Sequence, residues 1–112
     1  MAARALIRLA AAAYPVDILR DWAALEAKLG TWVAEAAGKG AEIAVFPEYA
    51  AMEAALIAGA RPVDWLEAAA DTAAAYHDCL ARLASRHGLA ILTGSGPERV
   101  AGRLRNRAWF CL

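Results

Sequence analysis

The sequence predicts an α/β chain with four strands in one sheet and two long helices on one face of it. Three observations carry this. Residues 43–46 and 89–93 are short, continuously apolar runs, the pattern of strands buried on both faces. Residues 21–37 and the stretch from Pro62 to Gly88 carry apolar side chains every three or four positions. Strand-like and helical stretches alternate, which is the order of a βαβ unit with parallel strands.

The first strand spans residues 5–12 and is stopped by Tyr14-Pro15, because proline cannot donate to a ladder. In the first helix, Leu19, Trp22, Leu25, Leu29, Trp32, Val33 and Ala36 form one stripe. Arg20, Glu26, Lys28 and Glu35 lie mostly off it, and Gly38 and Gly40 end it. Residues 43–46 form the second strand, closed by Pro47. Residues 51–58 read as a short helix broken at Gly59. Pro62-Val63-Asp64 opens the second long helix, with Asp64 and Glu67 spaced as a capping box. Its stripe is Trp65, Leu66, Ala69, Ala73, Tyr76, Leu80, Leu83 and Ala84, and Gly88 stops it. Residues 89–93 are the third strand, Gly94-Ser95-Gly96-Pro97 a turn, residues 99–103 a polar hairpin-like loop, and residues 106–112 the fourth strand.

Two helices cover one face of such a sheet, whereas a parallel sheet needs both faces covered. The expectation is therefore that a further part of a larger domain, or another chain, lies against the second face. A complete small α/β domain is the alternative. The apolar stretch Ala108-Trp109-Phe110-Cys111-Leu112 invites edge-to-edge association.

Composition narrows the function classes. Lys+Arg and Asp+Glu are both 12, so the net charge is zero. A phosphate-neutralising nucleic-acid binder needs a basic surplus. Disorder goes with low hydrophobicity, whereas 61% of this chain is hydrophobic. No apolar run reaches the roughly 20 residues of a membrane span. Arg4 and Arg8 interrupt the opening stretch, which fits neither a signal peptide nor an anchor. Two cysteines fit a reducing compartment. The expectation is a cytoplasmic protein without nucleic-acid or membrane partners.

Glu48 is the candidate catalytic residue. It follows a buried strand and a proline, which puts it at the carboxyl edge of a parallel strand, where open α/β sheets bind ligands. Between Phe46 and Tyr49 its carboxylate is expected to be partly desolvated, which suits a general base. A solvated loop glutamate is the ordinary reading of the same residue. Other signals are weaker. Gly94-Ser95-Gly96 has Arg99 in place of a third glycine and is followed by a polar loop, unlike a dinucleotide site. His77 and Cys79 are two apart on a helix, hence on different faces, and with His87 read as ordinary helix residues, not metal ligands. Ser85 and His87 have no placed acid. Arg99, Arg103, Arg105 and Arg107 read as a solvated basic loop.

The pattern Ala36-Ala37-Gly38-Lys39-Gly40-Ala41-Glu42-Ile43-Ala44-Val45-Phe46-Pro47-Glu48-Tyr49 resembles the first catalytic block of the nitrilase, or carbon–nitrogen hydrolase, superfamily. His87-Gly88-Leu89-Ala90-Ile91-Leu92-Thr93-Gly94-Ser95 resembles its strand ending in Gly-Ser, and Asn106-Arg107-Ala108-Trp109 the start of its next strand. The resemblance implies the N-terminal part of an α-β-β-α sandwich, so that residues 1–112 form a partial domain ending within or just after the fourth strand. It implies a Glu–Lys–Cys triad hydrolysing amide, nitrile or carbamoyl compounds, with no metal or other cofactor, in a homo-oligomer when full length. Glu48 matches the glutamate that acts as general base. The lysine and cysteine have no counterpart: Lys28 and Lys39 fall on the first helix or its end, Cys79 in mid-helix and Cys111 in a strand. Where a glutamine is common in the family's first strand, this chain has Ala13-Tyr14. The resemblance thus implies that the 112 residues are inactive alone. The competing expectation is a degenerate relative that serves as an association module.

Overall fold

A computed structural model describes residues 6–112. Three short strands run parallel: β1 (Leu9–Ala11), β2 (Ile43–Val45) and β3 (Ala90–Leu92). Between the first two lies helix α1 (Trp22–Gly38). Between the second and third lie α2 (Met52–Ile57), a 3₁₀ turn (Pro62–Asp64) and α3 (Trp65–His87). A hairpin of β4 (Gly96–Val100) and β5 (Arg103–Arg107) follows. Strand β6 (Phe110–Cys111) then joins β3 antiparallel, giving the sheet order β1-β2-β3-β6. The α/β architecture with a four-stranded sheet is the one expected.

Each helix follows from its sequence. The stripe of α1 buries Leu25, Leu29, Val33 and Ala36, and Asp21 caps its start, accepting from the Ala24 amide at 2.8 Å. The stripe of α3 buries Ala69, Ala73, Tyr76, Leu80, Leu83 and Ala84, and Gly88 ends it in the left-handed conformation at φ 66°. The expected capping box is absent. Asp64 turns to accept from Arg61 Nε at 3.1 Å, and Glu67 pairs with Arg99. Both carboxylates find cations, which attract them more strongly than neutral amides do.

Ala44 and Ile91 are paired in register, point to the same side and are buried in one cluster with α1 and α3. Both long helices therefore cover one face. Leu9, Ile43, Val45, Leu92 and Phe110 lie on the other face by the register of the strands. There Leu9 is 63% exposed and Phe110 51%.

The fourth strand differs from expectation. Residues 106–112 do not form one strand: Asn106 and Arg107 complete β5, and only Phe110–Cys111 enters the main sheet. The cause is the turn at Ala101-Gly102, with φ of 52° and 77°. Positive φ at both central residues makes the tight turn whose twist suits a hairpin. What reads as a polar loop is therefore two paired strands. The first strand is also shorter than residues 5–12, and its expected start at Ala5 lies outside the described residues.

Candidate active site

β2 lies between β1 and β3, so the chain that leaves its carboxyl end emerges at the middle of the sheet edge. Phe46 N donates to Leu92 O at 3.0 Å and Ala12 N to Val45 O at 2.9 Å, which carries the ladder to that edge. Phe46 is buried. The chain then turns, with Ala50 N donating to Pro47 O at 3.2 Å, and Glu48 sits on the turn.

Gly94 fixes this turn from the side. It has φ of 75°, and a Cβ there would lie 2.8 Å from the Phe46 carbonyl oxygen and closer still to that of Pro47. Only glycine lets the chain leaving β3 pass so near the Phe46 and Pro47 carbonyls. Thr93, next to it, is buried; its Oγ1 accepts from Trp109 N at 2.9 Å, tying β6 to the same edge.

The Glu48 side chain accepts from Asn106 Nδ2 at 3.4 Å, and no ion pair among the described residues involves it. It is exposed, not partly desolvated as its neighbours suggested, because Tyr49 also turns outward and is 66% exposed. Glu48 and Asn106 border a cavity of about 610 Å³ between α2, the start of α3 and the hairpin. Val16, Met52, Leu56, Trp65, Leu66 and Leu104 supply most of its wall. The volume lies in the ordinary range for small-molecule sites. Arg99, reaching from β4 to Asp71 and Glu67 of α3, holds the hairpin wall against the helix wall.

Beneath the turn lies a cluster that sequence reasoning missed. Glu53, on α2, is fully buried; its carboxylate accepts from the Tyr14 hydroxyl, from Lys28 Nζ and, at 2.9 Å, from Asp17 N. Lys28 also pairs with Asp17 Oδ2 at 2.7 Å and stands 4.1 Å from the centre of the Tyr14 ring. Burial, then the bond to Glu53 and its charge, push the Tyr14 hydroxyl far above the usual phenol range. A buried carboxylate with this many donors is compensated. The cluster ties together the β1–α1 connection, α1 and the helix that follows Glu48. Lys28 is not the solvated helix residue its position suggested, since 13% of its side chain is exposed. The available signal was Glu53 itself, one charge in the otherwise uncharged stretch Tyr49–Ala60.

The remaining candidates are structural. Cys79 is buried in the core, and burial raises its thiol pKa. His77 packs on Trp109, ring centres 5.1 Å apart, and burial holds its pKa below the ordinary value. Burial likewise raises the pKa of Cys111. Among the described residues no three His, Cys, Asp or Glu side chains group as metal ligands, and no helix is long and apolar enough to cross a membrane.

Comparison with known proteins bears on the family and the fold. The family model described as carbon-nitrogen hydrolase matches residues 8–111. The crystal structure of a glutamine-dependent NAD(+) synthetase from Cytophaga hutchinsonii superposes with a TM-score of 0.62 at 22% identity, over 94% of this chain and 17% of that one. At that identity the likeness is one of fold. No curated protein matches the sequence.

Proposed function

Because the chain belongs to the carbon–nitrogen hydrolase family, we propose that it is the base-bearing segment of a hydrolase acting on non-peptide C–N bonds of amide, nitrile or carbamoyl type. One observation carries the reading: a carboxylate, Glu48, with no ion pair among the described residues, at the carboxyl edge of the central parallel strand, opening on a cavity of substrate size.

The chemistry asks for little more from these residues. Glu48 takes the proton of a cysteine thiol and the thiolate adds to the substrate carbon; for an amide, the carboxylic acid then returns the proton to the leaving nitrogen. In the second half it takes a proton from the water that attacks the thioester, which restores the thiol. Asn106 orients the carboxylate through its amide N–H. The lysine and cysteine of the implied triad have no counterpart among these 112 residues. The proposal therefore concerns a longer protein, cytoplasmic and homo-oligomeric, in which this segment supplies the base.

The test is Glu48→Gln in that full-length protein, with ammonia release as the readout. The substitution keeps the shape and removes the base. Turnover falls by about 10²–10⁴-fold, the usual contribution of general acid–base help, with little change in melting temperature. Wild-type turnover in the variant excludes the assignment. A second reading, a catalytically dead association module, is favoured by the exposed apolar sheet face. It requires that the full-length protein release no ammonia from any amide or nitrile.

A further inference from the structure

The buried Glu53 carboxylate takes no part in the chemistry of Glu48, yet it lies behind the wall of the cavity. Met52 and Leu56, its neighbours on α2, line that cavity, and so does Val16 from the connection after β1. Residues 12–19 of this connection form no strand or helix that would hold Val16 in place. They are held from beneath instead. The Asp17 amide donates to Glu53 Oε2 at 2.9 Å, the Tyr14 hydroxyl donates to Glu53 Oε1, and Lys28 Nζ donates to the Pro15 carbonyl at 2.5 Å. Lys28 closes the arrangement, pairing with Glu53 at 2.5 Å and with Asp17 at 2.7 Å. Both chain neighbours of Val16 are thus bound to one ion pair, and Val16 between them is left to line the cavity. Glu48 is fixed differently, from the sheet, through the β2 ladder and the approach of Gly94.

We infer that Lys28 and Glu53 are positioning residues for substrate binding: the buried pair sets Val16 against the α2 wall of Met52 and Leu56, and so fixes the fit of an apolar substrate chain. The inference rests on the hydrolase reading, whose substrate occupies this cavity, and names the residues that shape its wall. A buried pair that served stability alone could be exchanged for uncharged side chains of similar volume, which are often as stable or more so. Such side chains do not reproduce the charge-assisted bonds that draw the Asp17 amide and the Pro15 carbonyl inward. Once these loosen, Val16 leaves its place and a chain laid against it loses contacts on that side. A substrate too short to reach the wall is unaffected.

The experiment replaces both partners together, Lys28→Met with Glu53→Gln, in the full-length protein. Binding of acetamide and hexanamide is read by ligand-observed saturation-transfer NMR. Wild type binds hexanamide about tenfold or more tighter than acetamide, as a few buried methylenes give. In the double variant hexanamide weakens by about tenfold, acetamide is unchanged and the melting temperature stays near that of wild type. Val16→Ala, at a residue already 45% exposed, folds whatever the fate of the double variant and weakens hexanamide alone. Unchanged hexanamide binding in a folded double variant overturns the inference, and so does equal weakening of both amides. A Val16→Ala protein that binds hexanamide like wild type, or a wild type that does not prefer hexanamide, overturns it as well. No turnover is read here, so these results leave the role of Glu48 standing. An unaffected Glu48→Gln enzyme removes that role and leaves the wall in place.

Discussion

Two tyrosines show how the same hydroxyl can help or harm. The Tyr76 hydroxyl is buried with no hydrogen-bond partner among the described residues, and burial, with the nearby charge of Glu53, lifts its pKa above the phenol range. Tyr14 is also buried, but its hydroxyl is bonded to Glu53. An orphaned buried donor costs roughly 1–3 kcal/mol, whereas a bond to a charged acceptor contributes about 1.5–3 kcal/mol. Tyr76→Phe therefore raises the thermal midpoint and Tyr14→Phe lowers it. Melting both variants beside the wild type checks the pair; equal shifts in one direction would show that the Glu53 bond contributes nothing. At this scale the sequence was legible only in part. Glu48 stood out because a strand and a proline preceded it. Glu53 did not, because a single charge in a short amphipathic stretch has the same pattern whether it meets water or a buried lysine.

Among the elements, the long ones were readable and the short polar ones were not. Asp21 and the spacing of Leu25, Leu29 and Val33 bound α1 to within a residue, because burial selects apolar side chains at the helical period. The strand Arg103-Leu104-Arg105-Asn106-Arg107 has no buried face, so no apolar alternation marks it; a turn geometry and its partner strand define it. Gly94 is the joint between β3 and the Glu48 turn. Gly94→Ala forces an L side chain into a positive φ and against the Pro47 carbonyl. The cost exceeds about 1 kcal/mol. Denaturant unfolding reads it as a lower midpoint, and the amide resonances of Glu48 and Tyr49 shift. A variant as stable as wild type with both resonances in place would mean that the backbone there yields freely.

For the molecule as a whole, the sheet is finished on one side only. Leu9, Ile43, Val45, Leu92 and Phe110 present an apolar face with no layer of the described residues over it, beside the exposed Leu112. Faces of this kind associate. The isolated 112-residue chain sediments above monomer mass at micromolar concentration and binds a fluorescent apolar dye. Leu9→Glu together with Phe110→Lys returns it to monomer with reduced dye signal. A wild-type monomer that binds no dye would show that the face is closed in solution. The need for a covering layer was legible from the count of helices against strands, since a parallel sheet with one helical layer leaves its second face wet.

The buried Glu53 cluster also sets a rhythm of motion. Residues 14–17, Lys28 in mid-α1 and α2 are far apart in sequence, yet each holds the others through one carboxylate. Freeing α1 or α2 strands a charge, and freeing residues 14–17 takes two donors from the buried carboxylate, so the three open together, as a single cooperative unit. The Asp17 amide, which lies in a loop and would otherwise exchange its proton with solvent quickly, inherits the slow exchange of the helix interior. Deuterium uptake at Asp17 matching that of an unbonded loop amide would show that the three segments breathe separately.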